Sequence, residues 1–181
     1  MSDMNTFTGK RFDPMKMTTE DIAMEDIAHA LSLLCRGGGH LKYFYSVGQH
    51  SVNCMKEARA RGYSVRLQFA CLLHDASEAY ISDIIRPVKG YLTNYLEIED
   101  MIMQKIWNKF NLGNLTEEEH RKWKQIDDEI LDYELKELVK GQEDRACKKL
   151  YSSPDLTEKR WENVAAEFLA LAEELWKANR F

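Results

Sequence analysis

Four side chains that can bind a metal ion or move a proton lie close together near the middle of the chain. His74 and Asp75 are adjacent, and Glu78 follows one helical turn later. Asp83 comes just beyond them, and all four follow LQFACLL, a strongly apolar stretch at residues 67–73. A buried, unpaired carboxylate would be costly and would tend to take up a proton. Because a divalent cation satisfies imidazole and carboxylate groups together, the pattern indicates a metal site.

A further ligand must come from another helix, and His50 is the best candidate. It lies on the inward stripe of the preceding predicted helix, in its first turn. A single histidine in such a position is more often a hydrogen-bonded core residue than a ligand. The adjacent pair His74-Asp75 is also a weak signal by itself. The spacing between His50 and the pair His74-Asp75, followed by a buried aspartate on a later helix, is a much stronger signal of a metal site.

That later aspartate lies in KQIDDEILDYELKEL, where Asp127 and Asp128 are both available. Asp127 is adjacent to the apolar Ile126 and shares a helical face with Glu134, whereas Asp128 tends toward the flank. Both could instead belong to a solvated acidic face, which is what we predict for the acidic run at residues 117–119. Periodicity alone leaves the choice between the two aspartates open.

The elements that would position these residues are helices, since strand-like alternation is almost absent. We expect the first helix to begin after Thr18 or Thr19 and to end at the Gly37–Gly39 run, and Ser46 with Gln49 to form a capping box. The other predicted helices cover about residues 46–61, 64–80, 93–110, 116–140 and 157–179. The expected fold is an all-α, single-domain bundle of about six helices over residues 1–181. The apolar stripe of the last helix would serve core packing or a homo-oligomer contact.

Composition narrows the class of protein. The chain has 181 residues, of which 44% are hydrophobic and 30% charged, as expected of one globular domain. Its net charge of −5 argues against a stable nucleic-acid partner. The apolar runs are too short to span a membrane and the first residues lack the apolar core of a signal peptide, so we expect a cytoplasmic protein without a membrane partner. The four cysteines form no CxxC pair, which predicts buried free thiols in a reducing compartment.

The pattern H…HD…D over helices resembles the HD-domain metal-dependent phosphohydrolase superfamily. HDASEAYISDIIRPVK is similar to the HDASE…D…PVK segment of bacterial 5′-deoxyribonucleotidases and of small phage and bacterial HD hydrolases. TGKRFDP, EDIAHALSLLCR and FYSVGQHS look like the phage-type branch, and KQIDDEILDYE is similar to the family's final K-x-x-D…E stretch. The resemblance covers about residues 6–140. It implies an HD-domain fold and a phosphoric monoester hydrolase that acts on nucleotides as small-molecule substrates.

The resemblance also implies roles for individual residues. The metal ligands would be His50, His74, Asp75 and Asp127. Mn²⁺, Co²⁺, Fe²⁺, Ni²⁺ and Zn²⁺ all suit such nitrogen and oxygen ligands, so the pattern selects no single metal. Glu78 would orient and deprotonate the water that attacks phosphorus. Asp83 would help to hold the nucleotide and this water near the site.

Three further residues are candidates for contact with the phosphate. Arg36 matches the family's phosphate-contacting arginine, although a residue that satisfies helix C-terminal carbonyls is the alternative. Lys89 could equally be a solvated loop lysine, and His40 follows a glycine run that could cover the pocket. The deoxyribonucleotidases have a tryptophan after the arginine that helps to exclude a ribose 2′-hydroxyl, whereas Gly37–Gly39 follow here. Selectivity for deoxyribose is therefore not implied, and the open segment could admit a longer phosphate chain.

The leading hypothesis is removal of the 5′-phosphate from deoxynucleoside monophosphates. A deoxynucleoside triphosphate triphosphohydrolase is the alternative within the same class. A di-iron oxygenase of the HD type would need more histidines, and His29, His40 and His120 have unsuitable spacing. A non-catalytic, metal-stabilised binding module would not need Glu78, which argues against that class.

Overall fold

The computed structural model describes residues 3–179, and these form six α-helices of nine or more residues, two α-helical segments of four residues and two short 3₁₀ segments. In chain order the α-helical elements are α1 (Met24–Leu33), α2 (Val47–Ala60), α3 (Val65–Leu73), α4 (Glu78–Ile81), α5 (Arg86–Lys89), α6 (Thr93–Lys109), α7 (Glu117–Leu138) and α8 (Trp161–Ala178). Two antiparallel strands, β1 (Met4–Asn5) and β2 (Arg11–Phe12), precede them, with Met4 opposite Phe12. The prediction of an all-α bundle is confirmed. No helix in this part of the chain is both long and apolar enough to cross a membrane.

The core is built around α3, whose residues 67–73 are all buried. This helix packs against α2, α7 and α8, which explains why it is apolar on nearly every side. The helix α8 buries Val164, Phe168, Ala172 and Leu175 on one face against α1, α2 and α3. Its apolar stripe therefore packs into the core.

The first helix differs from its prediction at both ends. The backbone N–H and hydroxyl of Thr18 donate to the Asp21 carboxylate at 2.7 and 3.0 Å, so these residues close a turn and the helix begins only at Met24. At the other end, Leu34 is extended and Cys35 forms an antiparallel bridge with Ser46. The chain thus leaves the helix before the glycine run, which instead lies in a 3₁₀ turn at Arg36–Gly39.

The third helix also ends early, because residues 74–77 form turns between α3 and α4. The prediction of one helix from 64 to 80 was wrong in this respect. The boundaries of α2, α6 and α7 lie within two residues of those predicted. The helix α7 begins with a complete capping box between Thr116 and Glu119.

Residues 139–160, which we call the strap, connect α7 to α8 without regular helix or strand. Buried polar side chains of α2 hold the strap in place. The Glu57 carboxylate accepts hydrogen bonds from the backbone N–H groups of Tyr151 and Ser152 at 3.0 and 2.8 Å. The amide of Asn53 donates to the carbonyl of Asp155 at 3.0 Å and accepts from its N–H at 3.1 Å. The strap is therefore fixed by side chains, although part of it had been predicted as the start of α8.

The predicted capping box at the start of α2 forms only in part. The hydroxyl of Ser46 accepts a hydrogen bond from the N–H of Gln49 at 3.1 Å. The Gln49 side chain does not complete the box, because its amide donates to the strap carbonyls of Asp155 and Thr157 at 3.1 and 2.8 Å.

Candidate metal centre

The helix α2 supplies a fully buried histidine, His50, in its first turn. Nε2 of His50 lies 3.1 Å from Oδ1 of Asp127 on α7. Cys54 follows one turn later on the same helix face, and its Sγ lies 3.4 Å from the same nitrogen. Two helices thus bring an imidazole, a carboxylate and a thiol to one point.

The early end of α3 brings His74 and Asp75 to the same point. In a continued helix adjacent side chains diverge by about 100°. Here Nε2 of His74 lies 3.3 Å from Oδ2 of Asp75 and 3.6 Å from Oδ1 of Asp127. Nδ1 of His74 lies 2.8 Å from the carbonyl oxygen of Cys71, so this nitrogen carries a proton and donates it. The turn after α3 thus explains why both residues of the pair face one site.

Asp127 and Asp128 have different surroundings. The Asp127 side chain is 12% exposed and faces the two histidines, whereas that of Asp128 is 46% exposed. Arg86 at the start of α5 pairs with both, from Nη2 to Oδ2 of Asp127 at 3.0 Å and from Nη1 to Oδ1 of Asp128 at 2.7 Å. The structure therefore brings Asp127 together with the predicted ligands and leaves Asp128 at the rim.

A metal ion could be held by His50, Cys54 and His74, whose ligand atoms all lie within 4.8 Å of one another. One atom is especially informative: Nε2 of His74 is buried and lies 3.3 Å from Oδ2 of Asp75, but it makes no well-formed hydrogen bond within residues 3–179. Because burying a polar atom without a well-formed hydrogen bond is costly, a cation ligated there would supply a better partner. Burial raises the pKa of the Cys54 thiol well above its ordinary value, as do the carboxylates of Asp127 and Glu134.

Interactions within the cluster shift the pKa values of its histidines and of its aspartates in opposite directions. Burial lowers the pKa of His74, but the carboxylates of Asp75 and Asp127 outweigh it and raise that pKa well above 6.5. Burial and Arg36 lower the pKa of His50, yet nearby carboxylates raise it overall. Burial raises the pKa of Asp75 and Asp127, but the neighbouring imidazoles bring both below the ordinary value. The centre favours positive charge between its carboxylates, which is what a cation site requires.

Glu78 and Asp83 form an acidic side of the site. Burial, together with the carboxylates of Asp75 and Asp83, raises the pKa of Glu78 to about 10. Burial, and then Asp75, also raises the pKa of Asp83. Oε2 of Glu78 is buried without a hydrogen-bond partner among the described residues, and Oε1 lies 4.0 Å from Nζ of Lys89. Lys89 is itself paired with Glu99 at 2.5 Å. Glu78 is thus a buried carboxyl group with one free oxygen.

Arg36 lies beside the cluster, where its Nη1 pairs with Oδ2 of Asp75 at 3.2 Å. The alternative of a helix-capping arginine does not hold, since α1 ends three residues earlier and Arg36 points toward the site. His40 is exposed, and within residues 3–179 it forms no hydrogen bond or ion pair with the cluster. His29 is stacked on Phe7 at 3.8 Å. His120 is exposed, so the structure brings neither of these last two histidines into the centre.

Three residues of this centre were not predicted from the sequence. Cys54 follows His50 by four residues, a spacing that signals a shared face, and had been assigned only as a buried thiol. Glu134 follows Asp127 by two helical turns and hydrogen-bonds Nδ1 of His50 at 2.7 Å. Arg86 carried no periodic signal at all, because its contacts are with residues about forty positions away.

Two relatives share part of this chain. The uncharacterized protein YfdR of Escherichia coli (strain K12) is 42% identical over 112 residues, which are 62% of this chain and 60% of the relative. The uncharacterized protein RCAP_rcc00048 of Rhodobacter capsulatus is 38% identical over 111 residues, which are 58% of this chain and 56% of the relative. No family model matches the chain. The similarity thus spans less than two thirds of each relative's length.

Proposed function

We propose that this protein is a metal-dependent phosphohydrolase of the HD type that removes the 5′-phosphate from deoxynucleoside monophosphates. The observation that carries the proposal is the convergence of two imidazole nitrogens and two carboxylate oxygens. Nε2 of His50 and Nε2 of His74 each lie 3.1 to 3.9 Å from one oxygen of Asp75 and one oxygen of Asp127. Such ligands bind a divalent ion at about 2.0–2.2 Å, so separations of about 3 Å between them suit one cation.

These four residues would hold the cation, with the Cys54 thiol next to them. When bound, a divalent ion supplies Lewis-acid activation of a water molecule and of a phosphoryl group. The mixed set of nitrogen and oxygen donors suits Mn²⁺, Co²⁺, Fe²⁺, Ni²⁺ or Zn²⁺.

Glu78 is the candidate general base because its Oε2 is buried and has no hydrogen-bond partner within the described chain. It must be ionised to act, and positive charge beside Asp75 would favour that form. The oxygen of water attacks phosphorus while its proton moves to Glu78. The bond from phosphorus to the nucleoside 5′-oxygen then breaks, and this oxygen takes up the proton.

Two cationic side chains are suited to contact the phosphate. The Arg36 guanidinium has five N–H donors, and its contacts with Asp75 and Glu134 involve Nη1 and Nε, which leaves Nη2 without a hydrogen bond among residues 3–179. Lys89 lies between Glu78 and Glu99 and could turn toward an anion. The positive charge of these two side chains would stabilise the transition state, because negative charge develops on the phosphoryl oxygens.

Hydrolysis of deoxynucleoside triphosphates to nucleoside and triphosphate is the second candidate. The conformation of the loop after Arg36 supports it. Gly37 and Gly38 have φ values of 62° and 61°, which a bulky residue would adopt only under strain. A large side chain directly after Arg36 is therefore unsuited to this backbone.

The test is a screen of nucleoside mono-, di- and triphosphates with each of the five metals, in which the released product is identified as phosphate, pyrophosphate or triphosphate. We expect release of phosphate from at least one deoxynucleoside monophosphate, abolished by a chelator. The His74→Ala variant, prepared in the same way, controls for contaminating phosphatases. Absence of release from every nucleotide with every metal would contradict the proposal and favour a non-catalytic metal-binding module.

A further inference from the structure

Glu134 is a buried carboxylate that contacts three other parts of the chain. It lies two turns after Asp127 on the same face of α7, and its side chain is only 4% exposed. Oε1 lies 2.7 Å from Nδ1 of His50 and also accepts the hydroxyl proton of Tyr45 at 2.7 Å. Oε2 lies 3.4 Å from Nε of Arg36. One carboxylate thus joins a candidate metal ligand to a candidate phosphate contact.

The contact with Glu134 determines which ring nitrogen of His50 is available to bind a cation. A carboxylate that already accepts a proton from Tyr45 and faces Arg36 acts as an acceptor, so Nδ1 of His50 must be the donor. Nε2 is then directed to the side where Asp127 and Cys54 lie, at 3.1 and 3.4 Å. Hydrogen bonds of this kind fix the tautomer and the ring orientation of metal-binding histidines and raise their basicity.

Further hydrogen bonds hold the Glu134 carboxylate in place. The Tyr45 hydroxyl accepts a hydrogen bond from the Asn53 amide at 2.9 Å, and Asn53 is bonded to the strap at Asp155. Glu134 therefore cannot rotate away from His50 without breaking a buried chain of hydrogen bonds.

We infer that Glu134 is a positioning residue: it orients His50 for cation binding and holds Arg36 beside the same site. This inference rests on the proposed cation site and extends it to a residue that does not touch the cation or the substrate. Partners of this kind typically change metal affinity by about 10–100-fold when they are removed.

The experiment compares Glu134→Gln with Glu129→Gln. Glu129 is a buried carboxylate of the same helix, paired with Arg61 at 2.5 Å on a different face, so it matches Glu134 in burial and charge. Two readouts need no nucleotide: Zn²⁺ affinity by calorimetry, and the NMR signals of the His50 Nδ1–H and Arg36 Nε–H protons. A second variant, Glu134→Leu, removes the acceptor entirely.

We expect Zn²⁺ affinity to fall about tenfold in Glu134→Gln and toward a hundredfold in Glu134→Leu. The His50 Nδ1–H and Arg36 Nε–H signals should shift in Glu134→Gln, and the His50 signal should be lost by fast exchange in Glu134→Leu. Glu129→Gln should leave the affinity and both signals unchanged even if it lowers stability. Unchanged signals in Glu134→Gln, equal loss of affinity in Glu129→Gln, or no Zn²⁺ binding by the wild type would each overturn the inference. Absence of phosphatase activity would count against the proposed function without altering these readouts.

Discussion

The imidazole rings of His50 and His74 lie 5.3 Å apart, although one belongs to α2 and the other follows α3. Both rings are buried, and the carboxylates around them raise the pKa of each above the ordinary value of 6.5. Two protonated rings carry the same total charge as one divalent cation. The two states would therefore compete for the carboxylates of Asp75 and Asp127.

This competition predicts that metal affinity depends on pH. Histidine binds a metal only as neutral imidazole, so cation binding must release protons. Because nearby carboxylates raise the pKa of both rings above 6.5, metal affinity should continue to rise with pH above 6.5 instead of levelling off there. Calorimetry in buffers of different ionisation enthalpy would measure the number of protons released, which we expect to approach about two per cation at pH 6. Affinity that is constant between pH 6 and 8 would contradict the assignment of both histidines as ligands.

Metal binding should stabilise the fold through His74. A ligand that binds only the folded state at a free concentration of a hundred times its Kd adds about 2.7 kcal/mol to the free energy of unfolding. Mn²⁺, Co²⁺ or Zn²⁺ should therefore raise Tm in a thermal scan, and a chelator should reverse the shift. The shift should vanish in His74→Ala and persist in His29→Ala, because His29 is stacked on Phe7 outside the centre. An equal shift in both variants would place the cation elsewhere.

Asp127 and Asp128 provide a matched pair, since both are bonded to Arg86. Asp127→Asn should bind much less metal, because it removes the charge of a proposed ligand that faces His50 and His74. Asp128→Asn should retain wild-type metal content, since its partly exposed side chain pairs only with Arg86 among the described residues. Elemental analysis of the purified variants distinguishes them. The opposite order would mean that Asp128 is the ligand.

Glu78 should affect the reaction and not the metal. Glu78→Gln preserves the size of the side chain but removes the base, and loss of a positioned acid–base group typically lowers the rate by about 10²–10⁴-fold. Metal content should remain near that of the wild type, and KM should change little because the proposed phosphate contacts are with Arg36 and Lys89. Glu129→Gln is the control for loss of a buried carboxylate. A Glu78→Gln variant with wild-type kcat would show that this residue is only a structural neighbour of the site.

Most of the helical framework could be predicted from local patterns. The apolar periodicity and the caps at Ser46 and Thr116 determine where α2 and α7 begin. One failure arose from a contact between residues that no local pattern links: the bridge from Cys35 to Ser46 ends α1 early. Another was local, because Thr18 is a residue type that caps helices, but its hydrogen bonds to Asp21, three residues later, close a separate turn instead.

The site was predictable to the extent that its residues repeat on helix faces. Periodicity put Asp127 on the buried face but could not separate it from Asp128, because both lie near the boundary of that face. Periodicity also placed Glu134 on the face of Asp127 but gave it no role, because its role depends on contacts with His50 and Arg36 from other elements. The link from Arg86 to both aspartates depends on the path of the chain between α4 and α5, which local patterns do not describe.

The strap has a consequence for the modularity of the protein. All the candidate site residues lie between Arg36 and Glu134, so this stretch resembles a segment that could be transferred to another protein. Yet α2 presents His50 to the centre while its Asn53 and Glu57 side chains are bonded to strap residues more than ninety positions later. A fragment that ends after α7 would lose these partners and the packing of Phe168 and its neighbours on α8. We therefore expect that the motif segments grafted into another scaffold would not reproduce the centre, because its shape is encoded by the whole chain.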